Sequence, residues 1–292
     1  MEAADPVPAT VGSLPAMPRA AFFSDMDDTF LATDKSLVAL NMEALDALGC
    51  RGLPFVPCTG RAWAAVPREL LAHPAVRYVV GANGAVVRDV RRGETVREAS
   101  LDPARVRALL GRLGGVDCSF DLFTPEGVLS ERARYERLGA YIDDAPSLGT
   151  VRASRHPQDL TTEQLIAGHP HIQKLTLYWK DESDRRAIRE AVEMDGALGL
   201  TTSHPKNWEV MAAGVSKGSG LAFVCGLLGV GESAAVAFGD SPNDIPMLTR
   251  AGDGVAVANA TAETRGAARH VTSSNDEGGV GRYILDLLGR WT

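Results

Sequence analysis

Five short apolar runs most constrain what this chain can become: Ala20–Ser24, Pro54–Cys58, Tyr78–Gly81, Ala234–Gly239 and Gly254–Ala258. From Ala20 onward a short apolar run is followed by a helical stretch and then by another apolar run, the alternation that predicts a parallel α/β sheet. Leu37, Leu40, Ala44 and Leu48 fall on one face of a helix, as do Leu221, Val224, Cys225 and Leu228. The expected fold class is α/β with a doubly wound parallel sheet.

Between about Val86 and Ala212 the texture changes. Strand-like pieces such as Gln173–Trp179 and Trp208–Met211 alternate with charged helical stretches such as Glu182–Met194, and no polar motif recurs at strand ends. The pattern predicts an inserted α/β domain over 86–212, with the first domain formed from 20–85 and 213–292. Residues 1–19 carry Pro6, Pro8, Pro15 and Pro18 among small residues, which predicts a loose tail.

Four polar groups punctuate the first and last thirds, each at or just after the end of an apolar run. They are Asp25-x-Asp27-Asp28-Thr29, Thr59-Gly60-Arg61, Ser216-Lys217-Gly218 and Gly239-Asp240-Ser241-x-Asn243-Asp244. In an open parallel sheet the ligand crevice lies at the carboxyl ends of the strands, so all four can converge there. The residue types suit phosphoryl transfer, which is mostly positioning and charge neutralisation. Asp25, at the very end of its strand, can attack phosphorus as a carboxylate nucleophile. Asp27 can protonate the leaving oxygen and later take a proton from water. Thr59 offers a hydroxyl and neighbouring backbone N–H groups to phosphate oxygens, and Lys217 adds a cation at a helix start. Asp240 and Asp244 supply hard oxygen ligands for Mg²⁺.

Charge counting supports a metal. Asp25, Asp27, Asp28, Asp240 and Asp244 bring five negative charges against two positive from Lys217 and Arg61. The remainder repels a phosphate dianion unless a divalent cation is present.

The order D-x-D-x-T, T-G-R, K-G, G-D-S-x-N-D resembles the haloacid-dehalogenase-like superfamily, specifically its Cof-type phosphatases with a large α/β cap. Gly81-Ala82-Asn83-Gly84-Ala85, Trp208-Glu209-Val210 and Ala256-Val257-Ala258-Asn259-Ala260 extend the likeness over nearly the whole chain after residue 20. The resemblance implies a Rossmann-like core carrying an inserted cap. It makes Asp25 the nucleophile, Asp27 the acid/base, and Thr59 and Lys217 the phosphate clamps. It also implies magnesium held by the Asp25 side chain, the Asp27 backbone carbonyl and Asp240, with Asp244 and Asn243 in support. Gly60 joins the expected substrate site, Arg61 either orients substrate there or pairs with an acidic neighbour, and Asn83, a turn former by its place before Gly84, is set by the resemblance facing the cleft between core and cap. The family usually has Gly where this chain has Asp28, which raises the question of how Asp28 is neutralised.

The implied function is hydrolysis of small phosphorylated metabolites, sugar phosphates or similar monoesters. Two alternatives use the same carboxylate: a phosphomutase or phosphotransferase that returns the phosphoryl group to a sugar, and a phospho-aspartate signalling switch, which would not need the long insertion. For His171, Lys174, His204, Trp208 and Glu209 the expectation is a surface, packing or structural role. His156, His169 and His270 show no zinc-ligand spacing.

The net charge of −7 and the lack of a long Lys/Arg run argue against nucleic-acid or anionic-membrane partners. Arg88, Arg91, Arg92 and Arg97 are interleaved with acids and read as a solvated hairpin. Cys50, Cys58, Cys118 and Cys225 have no C-x-x-C spacing and read as reduced core residues. With Glu2 and Asp5 near the N-terminus and no long apolar run, a cytoplasmic protein is expected.

Overall fold

The structure is a computed structural model and describes residues 20–291. The tail expected over 1–19 lies outside the described residues. Among those described, the strands form two sheets.

The chain begins with β1 (Ala21–Asp25), β2 (Phe55–Cys58), β3 (Tyr78–Gly81), β4 (Val86–Asp89) and β5 (Glu94–Glu98). It continues with β6 (Cys118–Thr124), β7 (Gly127–Glu131), β8 (Arg155–Gln158), β9 (Lys174–Trp179), β10 (Leu198–Thr201) and β11 (Asn207–Ala212), and closes with β12 (Ala235–Gly239), β13 (Asp253–Ala256) and β14 (His270–Val271). The larger sheet has the order β14-β13-β12-β1-β2-β3-β4-β5, parallel from β14 to β3. The smaller has the order β10-β11-β9-β6-β7-β8.

The near-continuous apolar character of β1 follows from burial on both faces. Phe22 packs with Phe55, Val236, Leu45, Leu48 and Ile284, toward helices Ala39–Cys50 and Gly279–Arg290. Phe23 points the other way, toward Val56, Ala237, Leu221, Val224 and Met247 of helices Lys217–Leu228 and Ile245–Arg250. Helices on both faces of a mostly parallel sheet make the doubly wound α/β architecture.

The first two strands of the range 86–212 belong to the larger sheet. Val86 and Val87 pair antiparallel with Gly81 and Val80, and β5 then pairs with β4, so this hairpin extends the larger sheet. Its charged turn is solvated, but the paired valines are buried. The smaller sheet starts only at Cys118 and is amphipathic in an unusual way. Phe120, Leu122, Leu175, Leu177, Trp179, Trp208 and Val210 pack against helices Pro103–Arg112, Thr162–Gly168 and Glu182–Glu193. The alternate positions Asp121, Lys174, Thr176, Tyr178 and Glu209 are polar and buried, and four of these, Lys174, Thr176, Tyr178 and Glu209, line a cavity facing the larger sheet.

Cys58, Cys118 and Cys225 are buried free thiols, whereas Cys50, at the end of its helix, is exposed. Among the described residues no helix is long and apolar enough to cross a membrane.

Candidate active site

β1 sits between β12 and β2, with Ser24 opposite Phe238 and Asp25 opposite Cys58. The residues that follow these three strands are therefore neighbours at one edge. Asp25 ends β1, Thr59 follows β2, and Asp240 follows β12. The fourth group arrives on the helix Lys217–Leu228, whose first turn is closed by a reciprocal capping box between Ser216 and Ser219.

Lys217 is fully buried and donates to Asp25 Oδ1 at 2.5 Å and to Asp244 Oδ1 at 2.6 Å. Asp244 spends its other oxygen on the backbone N–H groups of Asp240, at 3.0 Å, and Ser241, at 3.1 Å, so it ties the loop to the lysine. Gly239 permits this close approach: a Cβ there would stand 2.4 Å from Asp244 Cβ. Asp240 accepts from Thr29 Oγ1 at 2.9 Å and Ser241 Oγ at 2.7 Å.

The electrostatics match this crowding. Burial opposes the charge on Lys217, but Asp244 and Asp25 overcome it and hold the ammonium well above the usual lysine range. Burial pushes the Asp25 carboxyl up; Lys217 opposes this, and Asp244, Asp240 and Asp27 add to it. Burial and then Asp244 push Asp240 up to about 6. One lysine thus leaves negative charge uncompensated. Oxygens of Asp25, Asp240 and Asp244 lie within 4.8 Å of one another, a hard-donor set that fits a divalent cation such as Mg²⁺.

Asp27 lies outside that cluster. Its Oδ1 takes Arg61 Nη2 at 2.6 Å and has Lys35 Nζ at 3.6 Å. Asp28 adopts a left-handed conformation, φ 58° and ψ 13°, which explains why a glycine is at home there. Its side chain is neutralised by Lys35 at 2.9 Å. Lys35 escaped sequence reasoning, although a cation seven positions beyond an acidic cluster was a usable signal.

Thr59 and Asn83 are buried beneath the crevice rather than open to it. Thr59 Oγ1 accepts the Arg61 N–H at 3.0 Å, and Asn83 bridges Asn243 and Glu209. A cavity of about 560 Å³ lies above Asp25, Asp27, Gly60, Arg61, Asp240 and Asn243. Its far wall comes from the smaller sheet and includes Phe123, Arg155, Lys174, Tyr178 and Glu209, together with His204. The expected non-site role is met by Trp208, which packs on Trp179 at 5.5 Å between ring centroids, and by exposed His171. Lys174, Glu209 and His204 also line the cavity. The alternation in Lys174-Leu175-Thr176-Leu177-Tyr178-Trp179 carried that signal, since its polar face had to point away from the apolar helices.

Fold and site together give an α/β protein with buried carboxylates gathered at the carboxyl edge of a parallel sheet. A profile for haloacid dehalogenase-like hydrolases matches residues 22–284, and the chain belongs to that family. YxeH of Bacillus subtilis (strain 168) is 31% identical over 274 residues, covering 90% of this chain and 96% of that protein. The 5-amino-6-(5-phospho-D-ribitylamino)uracil phosphatase YwtE of the same organism is 27% identical over 281 residues, covering 90% and 96%. Among solved structures, the haloalkanoate-superfamily phosphatase BT1666 from Bacteroides thetaiotaomicron superposes with a TM-score of 0.77 at 25% identity, over 95% of this chain and 98% of that one. The protein is a phosphatase of this superfamily.

Proposed function

We propose that the protein is a Mg²⁺-dependent phosphatase that hydrolyses small phosphorylated metabolites, sugar phosphates or similar monoesters, through an aspartyl phosphate on Asp25. The observation that carries the reading is the placement of Asp25: buried at the end of β1, 2.5 Å from Lys217, beside Asp240 and on the floor of the cavity.

In the first step an Asp25 carboxylate oxygen attacks phosphorus, the bond from phosphorus to the leaving oxygen breaks, and Asp27 gives that oxygen its proton. Arg61 and Lys35 both approach Asp27 Oδ1, which leaves Oδ2 for the proton transfer. In the second step Asp27 takes a proton from water as the water oxygen attacks phosphorus, which releases phosphate and restores Asp25. Lys217 balances the nucleophile's charge, and the Thr59-Gly60-Arg61 loop receives phosphate oxygens. A cation held by Asp25, Asp240 and the Asp27 carbonyl, with Asp244 and Asn243 in support, would supply charge neutralisation to the phosphoryl group.

Residues beyond the β4–β5 hairpin, up to Ala212, act in this reading as a cap that selects the leaving group. The cavity has the size of a small-metabolite site. A phosphorylated ribitylaminouracil, of the kind YwtE's name gives, belongs among the esters to test. The acidic, cysteine-poor composition fits a cytoplasmic enzyme. Release of inorganic phosphate from a metabolite panel with added Mg²⁺ tests the reading. A panel on which only transfer between sugars is detected would instead favour a mutase.

A further inference from the structure

The cap meets the core through a buried ion pair. Lys174 is 1% exposed and Glu209 3%, and the two are in direct contact. Each also reaches out of its own sheet. Lys174 Nζ donates to the Gly60 carbonyl at 2.6 Å, and Glu209 Oε2 accepts Asn83 Nδ2 at 2.8 Å. Asn83 Oδ1 in turn accepts Asn243 Nδ2 at 3.2 Å, inside the loop that carries Asp240 and Asp244. Gly60 packs directly on Asn83, since a Cβ at Gly60 would lie 3.0 Å from Asn83 Oδ1. One connected set of polar contacts therefore runs from the smaller sheet to the loops after β2 and β12.

Stability alone is a poor reason to keep such a pair. Desolvating two charges costs about what their attraction returns, and apolar residues of similar volume are often as good or better. The Gly60 carbonyl supplies a better reason. A lysine on that oxygen fixes the plane of the Gly60–Arg61 peptide, whose N–H binds Thr59 Oγ1 at 3.0 Å and whose arginine holds Asp27 at 2.6 Å. Displacing this peptide moves the loop and the guanidinium together.

We propose that Lys174 and Glu209 are positioning residues for phosphoryl transfer: the pair seats the cap and holds the Gly60–Arg61 peptide and the Asn83–Asn243 amides in working geometry. This rests on the reading of the Thr59-Gly60-Arg61 loop as the phosphate loop.

The roles separate experimentally. In Lys174→Met, kcat falls roughly 10- to 100-fold on both p-nitrophenyl phosphate and the best metabolite ester, with KM nearly unchanged, because misplacement by about an ångström costs this much. A leaving-group contact would instead raise KM for the metabolite alone. A packing role would lower the melting temperature and spare kcat per folded molecule. The charge-swapped Lys174→Glu/Glu209→Lys protein restores opposite charges within the cap but sets a carboxylate against the Gly60 carbonyl, and it should remain as slow as Lys174→Met. Should Lys174→Met fail to fold, Glu209→Gln keeps the shape, removes the charge and is read the same way.

The ¹⁵N–¹H resonances of Gly60 and Arg61 supply an arm that needs no activity. They should shift in these variants and stay in place in Lys206→Met, whose exposed ammonium contacts the Lys180 carbonyl. Unmoved Gly60 and Arg61 amides, or a charge-swapped protein with parental kcat, would overturn the proposal. A parent that releases no phosphate would overturn the phosphatase reading, while the amide shifts still decide the positioning claim.

Discussion

Lys217 Nζ lies 2.5 Å from Asp25 Oδ1, although 192 residues separate the two in the chain. The contact ties β1 to the loop after β12, because the same ammonium also binds Asp244, and all three side chains are buried. Lys217→Met leaves two buried carboxylates without a cation. Breaking a buried pair in this way costs about 3–5 kcal/mol. The expected result is a lowered melting temperature and, in the folded fraction, a kcat reduced by about 100-fold or more. Parental kcat in a folded Lys217→Met protein would contradict the assignment.

Asp28→Gly has the opposite expectation. Asp28 holds φ at 58°, where an L side chain costs about 1–2 kcal/mol, and its pairing with Lys35 is half-exposed and worth about 0–1 kcal/mol. Glycine should leave stability equal or slightly higher and, because the Asp28 side chain is held by Lys35, hydrolysis within about threefold of the parent, a change worth under ~1 kcal/mol. A tenfold loss measured by steady-state kinetics would give Asp28 a direct role.

Those two residues illustrate what was legible in the sequence. Asp25, Lys217, Asp240 and Asp244 stood out because each follows a strand buried on both faces or opens a helix, and the sheet's topology then had to bring such ends together. The partner of Asp28 did not stand out, since Lys35 reaches it through an irregular loop with φ 68° of its own. The pairing of Val86–Glu98 with the larger sheet is hidden in the sequence because the hairpin's charges dominate its pattern, while two buried valines settle it. The reach of Lys174 and Glu209 to Gly60 and Asn83 is not legible, because a charge on a strand says nothing about which sheet will face it.

Removing divalent metal should abolish turnover, and Mg²⁺ should restore it. Ca²⁺ should restore it poorly, because it prefers more ligands and longer bonds. Asp240→Asn should raise the Mg²⁺ concentration needed for half-maximal rate, read by titrating the chelated enzyme. Full activity in excess chelator would remove the metal from the account.

Asp89 carries a pH dependence of stability. Burial alone would raise its carboxyl, but the Arg92 N–H, the Arg77 guanidinium and the Arg91 N–H together hold it below the usual carboxylate range. Its folded pKa is depressed, so its stabilisation is complete above the unfolded value of about 3.9 and is lost as pH falls through the folded value. Asp89→Asn should be less stable at neutral pH by about 1–3 kcal/mol and lose less on acidification. Superimposable curves of melting temperature against pH would refute the role.

The covalent step is tested most directly with Asp27→Asn and an aryl phosphate. An acidic phenol needs little help to leave, so the first step should persist and give a burst of phenol, while hydrolysis stalls without a base for water. Acid quenching followed by peptide mass analysis should then find one phosphoryl group on Asp25. A quenched protein with no phosphoryl group and no phenol burst, or one that carries the group on any residue other than Asp25, would contradict catalysis through an aspartyl phosphate at the end of β1.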